Sequence, residues 1–380
     1  MSVTGTTERA QRVVLHVGTP KSGTTFLQRA LWRNRDELEA MGVIAAGTRH
    51  YDMFHAAIEL RQSHDFWGRS PEQIDGTWDR LCEGARAFPG TTVMSHELLG
   101  AARREQVDRG LAALDGLDVH LVVSARDLAR QVASDWQERV KNGNPVTFAD
   151  FCANVGLERQ NGFWRNQHLI GILDRWARAL PPDNVHLVVG PPSGAAPDVL
   201  WRRFGDAVGF DASAIDPTTD EPKANQTLGA VQVAVLRRVN EELGGRIPQP
   251  AYSKVVKRVF AQSILAGQSS APAQCPPELV GRLAEIAVRQ NARFVKRGYR
   301  IHGDLEELVP VTPDGPWIDP DAVAPELEAS AAVSAICELL VDRAEPDTVV
   351  EPEPGLVPTA RRVGGRLRRR LARAQAGDAS

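Results

Sequence analysis

Short apolar runs alternate with longer stretches of helical spacing along the first half of the chain. The runs cover residues 12–17, 91–94, 119–123 and 185–189. They are rich in β-branched residues, which is typical of buried strands. Strands that alternate with helices form a mostly parallel sheet with helices on both faces, so the pattern predicts an α/β fold.

The strand pattern fades from about residue 197, and the rest of the fold is predicted to be mainly helical. Apolar residues recur at helical spacing over 200–208, 228–243, 253–265 and 278–294. Beyond residue 308 the chain is rich in proline and aspartate, with one acidic helix predicted over 326–343. The predicted organisation is a disordered N-terminus (1–11), an α/β domain (12–310), an appended segment with the acidic helix (311–350), and a linker with a basic tail (351–380).

The composition is that of a soluble globular protein. The 380 residues are 42% hydrophobic and 24% charged with a net charge of −3, which excludes wholesale disorder and a disulfide scaffold. That charge predicts no specific nucleic-acid partner for the chain as a whole. The four cysteines are scattered, as expected in a reducing compartment. The N-terminus lacks the apolar core of a signal peptide, and no apolar run approaches the ~20 residues of a membrane span, so we expect a cytoplasmic protein.

The basic tail has two interpretations. Residues 361–380 contain seven arginines and one aspartate, and Val363, Leu367 and Leu371 would form a narrow apolar stripe on a helix. Such a stripe beside arginines is typical of contact with an acidic membrane surface. A solvated chain terminus has the same composition.

The first predicted strand leads into a glycine-rich loop of the kind that binds phosphate. Gly18 and Gly23 flank the loop and a helical pattern follows, so backbone amides and a helix N-terminus would face an anion. The kinase and GTPase loop has lysine directly after its second glycine. Here that position is Thr24, and Lys21 lies inside the loop instead. Only six of the 45 basic residues are lysines, which makes this one informative.

This loop resembles the 5′-phosphosulfate loop of sulfotransferases that use 3′-phosphoadenosine 5′-phosphosulfate (PAPS). The family pattern P-K-[ST]-G-T-T is matched completely by Pro20, Lys21, Ser22, Gly23, Thr24 and Thr25. The resemblance implies that these residues bind the donor. It also implies that Lys21 contacts the oxygen that bridges phosphate and sulfuryl group and stabilises the leaving phosphate.

A second stretch is similar to the 3′-phosphate motif of the same family, R-D-P-x-x-R-x-x-S. Arg126, Asp127, Arg130 and Ser134 occupy the matching positions, and Leu128 stands in place of the usual proline. An arginine at the carboxyl end of a strand offers paired donors to a phosphate at the edge where such sheets bind ligands. The resemblance implies that Arg126 and Ser134 bind the 3′-phosphate, so Arg126 and Lys21 must lie close enough for one nucleotide to bridge them.

His96 and Glu97 are the two candidates for the catalytic base. They follow the strand predicted at 91–94, where many members of the family carry a histidine or glutamate base. Adjacent residues of an extended segment face opposite ways, so we expect one of them to reach the acceptor. The choice stays open, with a preference for Glu97. His55, a lone histidine on an apolar stretch, is either structural or part of the acceptor cleft.

These observations predict a PAPS-dependent sulfotransferase with a P-loop-like nucleotide-binding core that transfers the sulfuryl group to a hydroxyl. The acceptor would be a carbohydrate, a glycolipid or a secondary metabolite. The resemblance implies no metal, and the strand at 185–189 runs into Gly190 without the carboxylate that a Mg²⁺-dependent kinase normally has there. The alternatives are such a kinase and a nucleotide-binding protein without catalysis.

Overall fold

A computed structural model describes residues 11–157, 162–218 and 227–344. Within them the chain forms a six-stranded, all-parallel sheet in the order β2-β3-β1-β4-β5-β6. The strands are β1 (Arg12–His16), β2 (Val43–Ala45), β3 (Thr91–Ser95), β4 (Asp118–Ala125), β5 (Val185–Val189) and β6 (Arg300–His302). The α/β class predicted from the sequence is therefore confirmed.

Helices connect the strands and continue after them. The α-helices are α1 (Thr24–Arg33), α2 (Arg35–Ala40), α3 (Asp52–Leu60), α4 (Pro71–Ile74), α5 (Thr77–Ala87), α6 (Arg104–Ala112), α7 (Leu128–Lys141), α8 (Phe148–Gly156), α9 (Gly162–Gln167), α10 (Leu169–Trp176), α11 (Val199–Val208), α12 (Ala230–Leu243), α13 (Pro277–Lys296) and α14 (Pro325–Arg343). Ser253–Ile264 is π-helical, and Glu97–Ala101 forms a short 3₁₀ helix after β3.

The sheet is covered on both faces because alternate residues of each strand point to opposite sides. Val13 and Leu15 of β1 belong to one buried apolar cluster, together with residues of α3, α5 and α10. Val14, between them in sequence, belongs to a second cluster with residues of α1 and α11. Strands buried on both faces carry continuous apolar runs, which explains why four of the six could be predicted from the sequence.

The chain divides into two compact units. The first comprises Met1–Val132, Asn154–Asp220 and Pro277–Pro313 and contains the sheet and both of these clusters. The second comprises Ala133–Ala153, Glu221–Pro276 and Asp314–Ser380. Within the second unit α12 packs against α14, the acidic helix expected from the sequence.

The order of the strands makes the end of β1 the expected position of a ligand site. The chain adds β2 and β3 on one side of β1 and then β4, β5 and β6 on the other, so the direction of winding reverses there. Sheets of this kind bind ligands at the carboxyl ends of the strands beside such a reversal. The loop after β1, the segment after β3 and the start of α7 after β4 all meet at this edge.

The predicted linker and basic tail (351–380) lie outside the described residues. The predicted disordered N-terminus (1–11) also lies outside them, except for Gln11. A search of the described residues finds no helix that is long and apolar enough to span a membrane.

Candidate functional site

The loop between β1 and α1 has the backbone of an anion cradle. Gly18 and Gly23 have positive φ angles of 110° and 95°, which glycine adopts without strain. Lys21 also has a positive φ, 66°, which is uncommon for a residue with a side chain. Helix α1 begins directly after Gly23 without a side-chain cap, so its first amides point out of the helix toward the loop.

Hydrogen bonds tie this loop to the neighbouring strand β4. The amide of Thr19 donates to the carbonyl of Ser124 at 2.7 Å, and the amide of Ser124 donates to the carbonyl of Gly18 at 2.6 Å. The hydroxyl of Ser22 is buried, donates to the carbonyl of Thr19 at 2.6 Å and lies 2.6 Å from the hydroxyl of Ser124. The side chain of Ser22 therefore stabilises the conformation of the loop. Thr24, which is also buried, is the first residue of α1.

A buried histidine at the end of β1 forms hydrogen bonds with both neighbouring strands next to the loop. His16, the last residue of β1, places Nδ1 2.8 Å from the hydroxyl of Ser95 and Nε2 2.9 Å from that of Ser124. Burial lowers the pKa of His16 to about 4, although Glu97 opposes the shift. The imidazole is therefore neutral at neutral pH and links β1, β3 and β4 through hydrogen bonds.

Arg126 follows β4 directly and is joined to the loop by one side chain. The Nε of Arg126 donates to Oε1 of Gln131 at 3.2 Å, and Nε2 of Gln131 donates to the carbonyl of Pro20 at 3.1 Å. Gln167 donates to the same carbonyl at 3.0 Å. The structure thus brings Arg126 and the residue before Lys21 to one edge of the sheet, as the resemblance requires.

Burial, with the neighbouring Arg130 as the next contribution, lowers the pKa of Arg126 to about 10, so its guanidinium stays charged at neutral pH. Asp127 accepts a hydrogen bond from the amide of Arg130 at 2.9 Å and caps the first turn of α7. Leu128, in place of the family's proline, is buried and begins the helix without it. Ser134 lies about two turns along α7, on the part of that helix assigned to the second unit.

The two candidate bases meet each other instead of facing opposite ways. His96 is the last extended residue after β3, and Glu97 begins the 3₁₀ helix, so the change of backbone direction turns both side chains to one side. Nδ1 of His96 lies 3.9 Å from Oε2 of Glu97. The expectation that they would diverge was wrong because it assumed an extended backbone at both residues.

The surroundings of His96 and Glu97 give them different protonation states. Burial lowers the pKa of His96, and its Nδ1 accepts a hydrogen bond from the amide of Leu98 at 3.2 Å. The neutral imidazole therefore carries its proton on Nε2. Burial of Glu97 opposes ionisation, but His96 and a 2.9 Å hydrogen bond from Nε2 of Gln28 outweigh it and keep the pKa of Glu97 below its ordinary value.

Glu97 also lies against the phosphate loop. A Cβ added at Gly18 would come within 3.3 Å of the Cα and carbonyl oxygen of Glu97, so only glycine permits this approach. The side chain of Glu97 remains about one-quarter exposed. An ionised carboxylate beside an anion cradle, partly open to solvent, can accept a proton from a group bound between them.

A cavity of about 140 Å³ opens beside His96. Its wall includes Gln28, Trp32, Tyr51 and Phe54, and the ring centroids of Phe54 and His96 are 5.6 Å apart. Aromatic walls with a few polar groups are typical of sites for small organic ligands. His55 does not line this cavity; it belongs to a neighbouring one.

Several residues of the site were not predicted from the sequence. His16 is a polar residue inside an apolar strand, and Gln131 directly follows Arg130 within the second motif, so each had a weak signal. Gln28 and Gln167 carried none, because their roles depend on contacts between distant parts of the chain. Among the described residues no group of three or more His, Cys, Asp or Glu is arranged to hold a metal ion.

Comparisons with known proteins add little to this geometry. No family model matches the chain, and no curated protein does. Among solved structures, a sulfotransferase from Alicyclobacillus acidocaldarius is similar over 66% of this chain and 96% of its own, with 12% identity and a TM-score of 0.39. The α/β class therefore rests on the strands and helices of this chain itself.

Proposed function

We propose that the protein transfers a sulfuryl group from PAPS to a hydroxyl acceptor. The observation that carries the proposal is the Gln131 bridge, which joins the loop at Pro20 to Arg126. The two stretches that resemble the ends of one nucleotide site lie more than one hundred residues apart in sequence, yet they share one edge of the sheet. Neighbouring parallel strands explain the shared edge, and the hydrogen bonds of Gln131 to both Arg126 and the loop are the more specific support.

In this proposal the binding residues divide between the two ends of the donor. The loop amides and the N-terminus of α1 bind the 5′ end, because both present positive partial charge to an anion. Lys21 adds a full charge there, and its compact ammonium suits a single bridging oxygen. Arg126 binds the 3′-phosphate through its guanidinium, and Ser134 is the further donor that the motif implies.

Glu97 is the proposed base. It is ionised at neutral pH, whereas His96 has one nitrogen engaged by an amide and a proton on the other. Glu97 takes the proton of the acceptor hydroxyl as the oxygen forms its bond to sulfur. Lys21 and the loop amides stabilise the negative charge as the bond from sulfur to the phosphate oxygen breaks and 3′,5′-diphosphoadenosine departs. The sulfuryl group is the only part of PAPS that is transferred to the acceptor.

Titration calorimetry with nucleotides tests the proposal against its alternatives. We expect 3′,5′-diphosphoadenosine to bind without Mg²⁺. It should also bind more tightly than ATP, because ATP lacks the 3′-phosphate that Arg126 is proposed to bind. A variant Arg126→Gln should lose that preference. Tighter binding of ATP that depends on Mg²⁺ would support a kinase instead.

Transfer of labelled sulfate from PAPS to a panel of sugars, glycolipids and phenols separates the enzyme from a non-catalytic binder. We expect label in at least one acceptor and none with Lys21→Ala. Binding of 3′,5′-diphosphoadenosine without transfer to any acceptor would contradict the proposal and favour a binding protein.

A further inference from the structure

A second cavity, of about 260 Å³, adjoins the one beside His96 and differs from it in charge. It is lined by Arg49, Tyr51, His55, Arg69 and Gln73. These residues come from the segment before α3, from α3 itself, from the segment that leads into α4 and from α4. Two arginines, a histidine and an amide facing one space form a set of hydrogen-bond donors suited to an oxyanion.

The positive charge of this cavity is only partly balanced. Asp52, on α3, accepts hydrogen bonds from the amides of Thr48 and Arg49 at 2.9 and 3.0 Å and pairs with Nε of Arg49 at 3.3 Å. Its carboxylate is buried and occupied by these contacts. The guanidinium of Arg69 is exposed and forms no ion pair with any residue that the structure describes.

His55, which lines the same cavity, has an unsatisfied polar atom. Its Nε2 is buried and has no hydrogen-bond partner among the described residues. Burial lowers the pKa of His55, and the nearby Arg69 lowers it further, which is the effect of a positive field at this position. A buried donor or acceptor without a partner costs free energy, and the described residues leave that cost uncompensated at His55.

The two cavities are neighbours. Tyr51 lines both of them. The ring of Phe54 contacts both histidines, with its centroid 5.9 Å from that of His55 and 5.6 Å from that of His96. The cationic cavity is therefore next to the cavity that His96 lines, and one aromatic ring contacts a histidine of each.

We propose that the acceptor carries an anionic group, a carboxylate or a phosphate, which Arg49 and Arg69 bind while its hydroxyl lies beside Glu97 and His96. In this inference the charge and the hydroxyl are about one aromatic ring apart, to match the ring of Phe54 that contacts both His55 and His96. This inference rests on the proposed function, since it names the class of acceptor for that reaction. It follows from the positive charge of Arg49 and Arg69 in the cavity next to the one beside His96, because a neutral acceptor would form no ion pair with these arginines.

A matched set of small probes tests the inference: 4-(hydroxymethyl)benzoate, 4-(hydroxymethyl)phenyl phosphate and the neutral 4-(hydroxymethyl)benzamide. Calorimetric titration of the full-length protein, with and without 3′,5′-diphosphoadenosine, gives their affinities directly. We expect the two anions to bind about tenfold more tightly than the amide. Comparing carboxylate with phosphate shows which oxyanion the cavity prefers.

The variant Arg69→Gln should bring the ratio of anion to amide affinity close to one. Arg69 is exposed, so the fold should tolerate the change. Arg104→Gln, an exposed arginine outside the cavity, is the matched control and should keep the wild-type ratio. Equal affinities in the wild type, no binding of either anion, or an unchanged ratio in Arg69→Gln would overturn the inference.

The two proposals can fail separately. The probe titrations do not require sulfuryl transfer, so they test the cationic cavity even if no acceptor is sulfated. If 3′,5′-diphosphoadenosine binds and neutral acceptors are sulfated without any preference for anions, the anionic acceptor is wrong and the sulfotransferase stands.

Discussion

At the scale of single residues, Lys21 has the most direct predicted effect on chemistry. It lies within the anion cradle, and its charge is proposed to stabilise the leaving phosphate. We expect Lys21→Ala to lower kcat by about 10²- to 10³-fold, the usual loss when one such donor is removed. Labelled-sulfate assays would measure this loss. The exposed Lys296, on α13, is the control, and Lys296→Ala should keep wild-type turnover; full activity in Lys21→Ala would remove Lys21 from the mechanism.

The choice between Glu97 and His96 is a second prediction at this scale. Glu97→Gln should lower kcat by about 10²- to 10⁴-fold, because it removes the proton acceptor, while His96→Asn should have a smaller effect. The pKa of Glu97 is held below its ordinary value, so protonation of Glu97 should reduce the activity of the folded enzyme only as the pH falls below about 4.5. A pH profile of kcat/KM measures this limb. A larger loss in His96→Asn would identify His96 as the base.

Single residues also show where the sequence stops being informative. Lys21 and Arg126 could be selected because they match two motifs of a known family, and Glu97 because family members carry a base after the corresponding strand. The carboxyl ends of parallel strands share one edge, which places all three on the same side of the sheet. The choice between His96 and Glu97 required the backbone turn after β3, which no local pattern encodes. Gln131 and His16 act through contacts across β1, β3 and β4, and only the folded chain brings those strands together.

At the scale of elements, the buried strands and the longer helices were predictable, whereas the edges of the sheet were not. β2 and β6 have three residues each, too few to show a period. They are the two edge strands, and their partners in the sheet define them more than their composition does. The stretch expected to be helical at 253–265 is helical, but as a π-helix over Ser253–Ile264, a difference in hydrogen bonding that apolar spacing does not specify.

The link between α7 and the phosphate loop gives a prediction about elements. Gln131, on α7, donates to the carbonyl of Pro20 and accepts from Arg126, so it sets the distance between the two ends of the proposed nucleotide site. Gln131→Leu keeps the volume and removes both bonds. We expect the Kd for 3′,5′-diphosphoadenosine to rise about tenfold.

Calorimetry with the diphosphate, together with a melting curve, would separate positioning from loss of fold. A folded Gln131→Leu protein with weaker binding of 3′,5′-diphosphoadenosine and unchanged binding of adenosine is the expected result. Unchanged affinity for the diphosphate would show that Arg126 and the loop keep their spacing without Gln131.

At the scale of the whole molecule, each compact unit combines three separate stretches of chain. A change of composition along the sequence can mark the end of one domain and the start of the next. It does not show that the chain leaves a unit and returns to it, as it does here. The net charge likewise hides local differences: the molecule is slightly acidic, while the cavity beside His55 is cationic. The proposed class of acceptor is therefore supported by the arginines that folding brings to this cavity, and not by the net charge of the protein.

Buried histidines make the stability of the sheet depend on pH. His120, His186 and His302 lie side by side on β4, β5 and β6, with ring nitrogens 2.9 and 3.0 Å apart. Burial, followed by the charges of His302 and His120, lowers the pKa of His186 to about 3 from 6.5 in the unfolded chain. Between these values the unfolded chain binds a proton that the folded chain does not, so stability is complete above pH 6.5 and is lost as the pH falls.

Within that window His186 should lower the free energy of unfolding by about 1.4 kcal/mol for each unit by which the pH falls. Urea unfolding at pH 7, 6 and 5 would measure the slope. His186→Gln retains hydrogen-bonding groups but cannot titrate, so we expect its slope to be shallower by about that amount, with His64→Gln, a histidine outside the sheet, as the control. An identical slope in His186→Gln and the wild type would mean that His186 binds its proton over the same pH range in the folded and the unfolded chain, and would contradict the prediction.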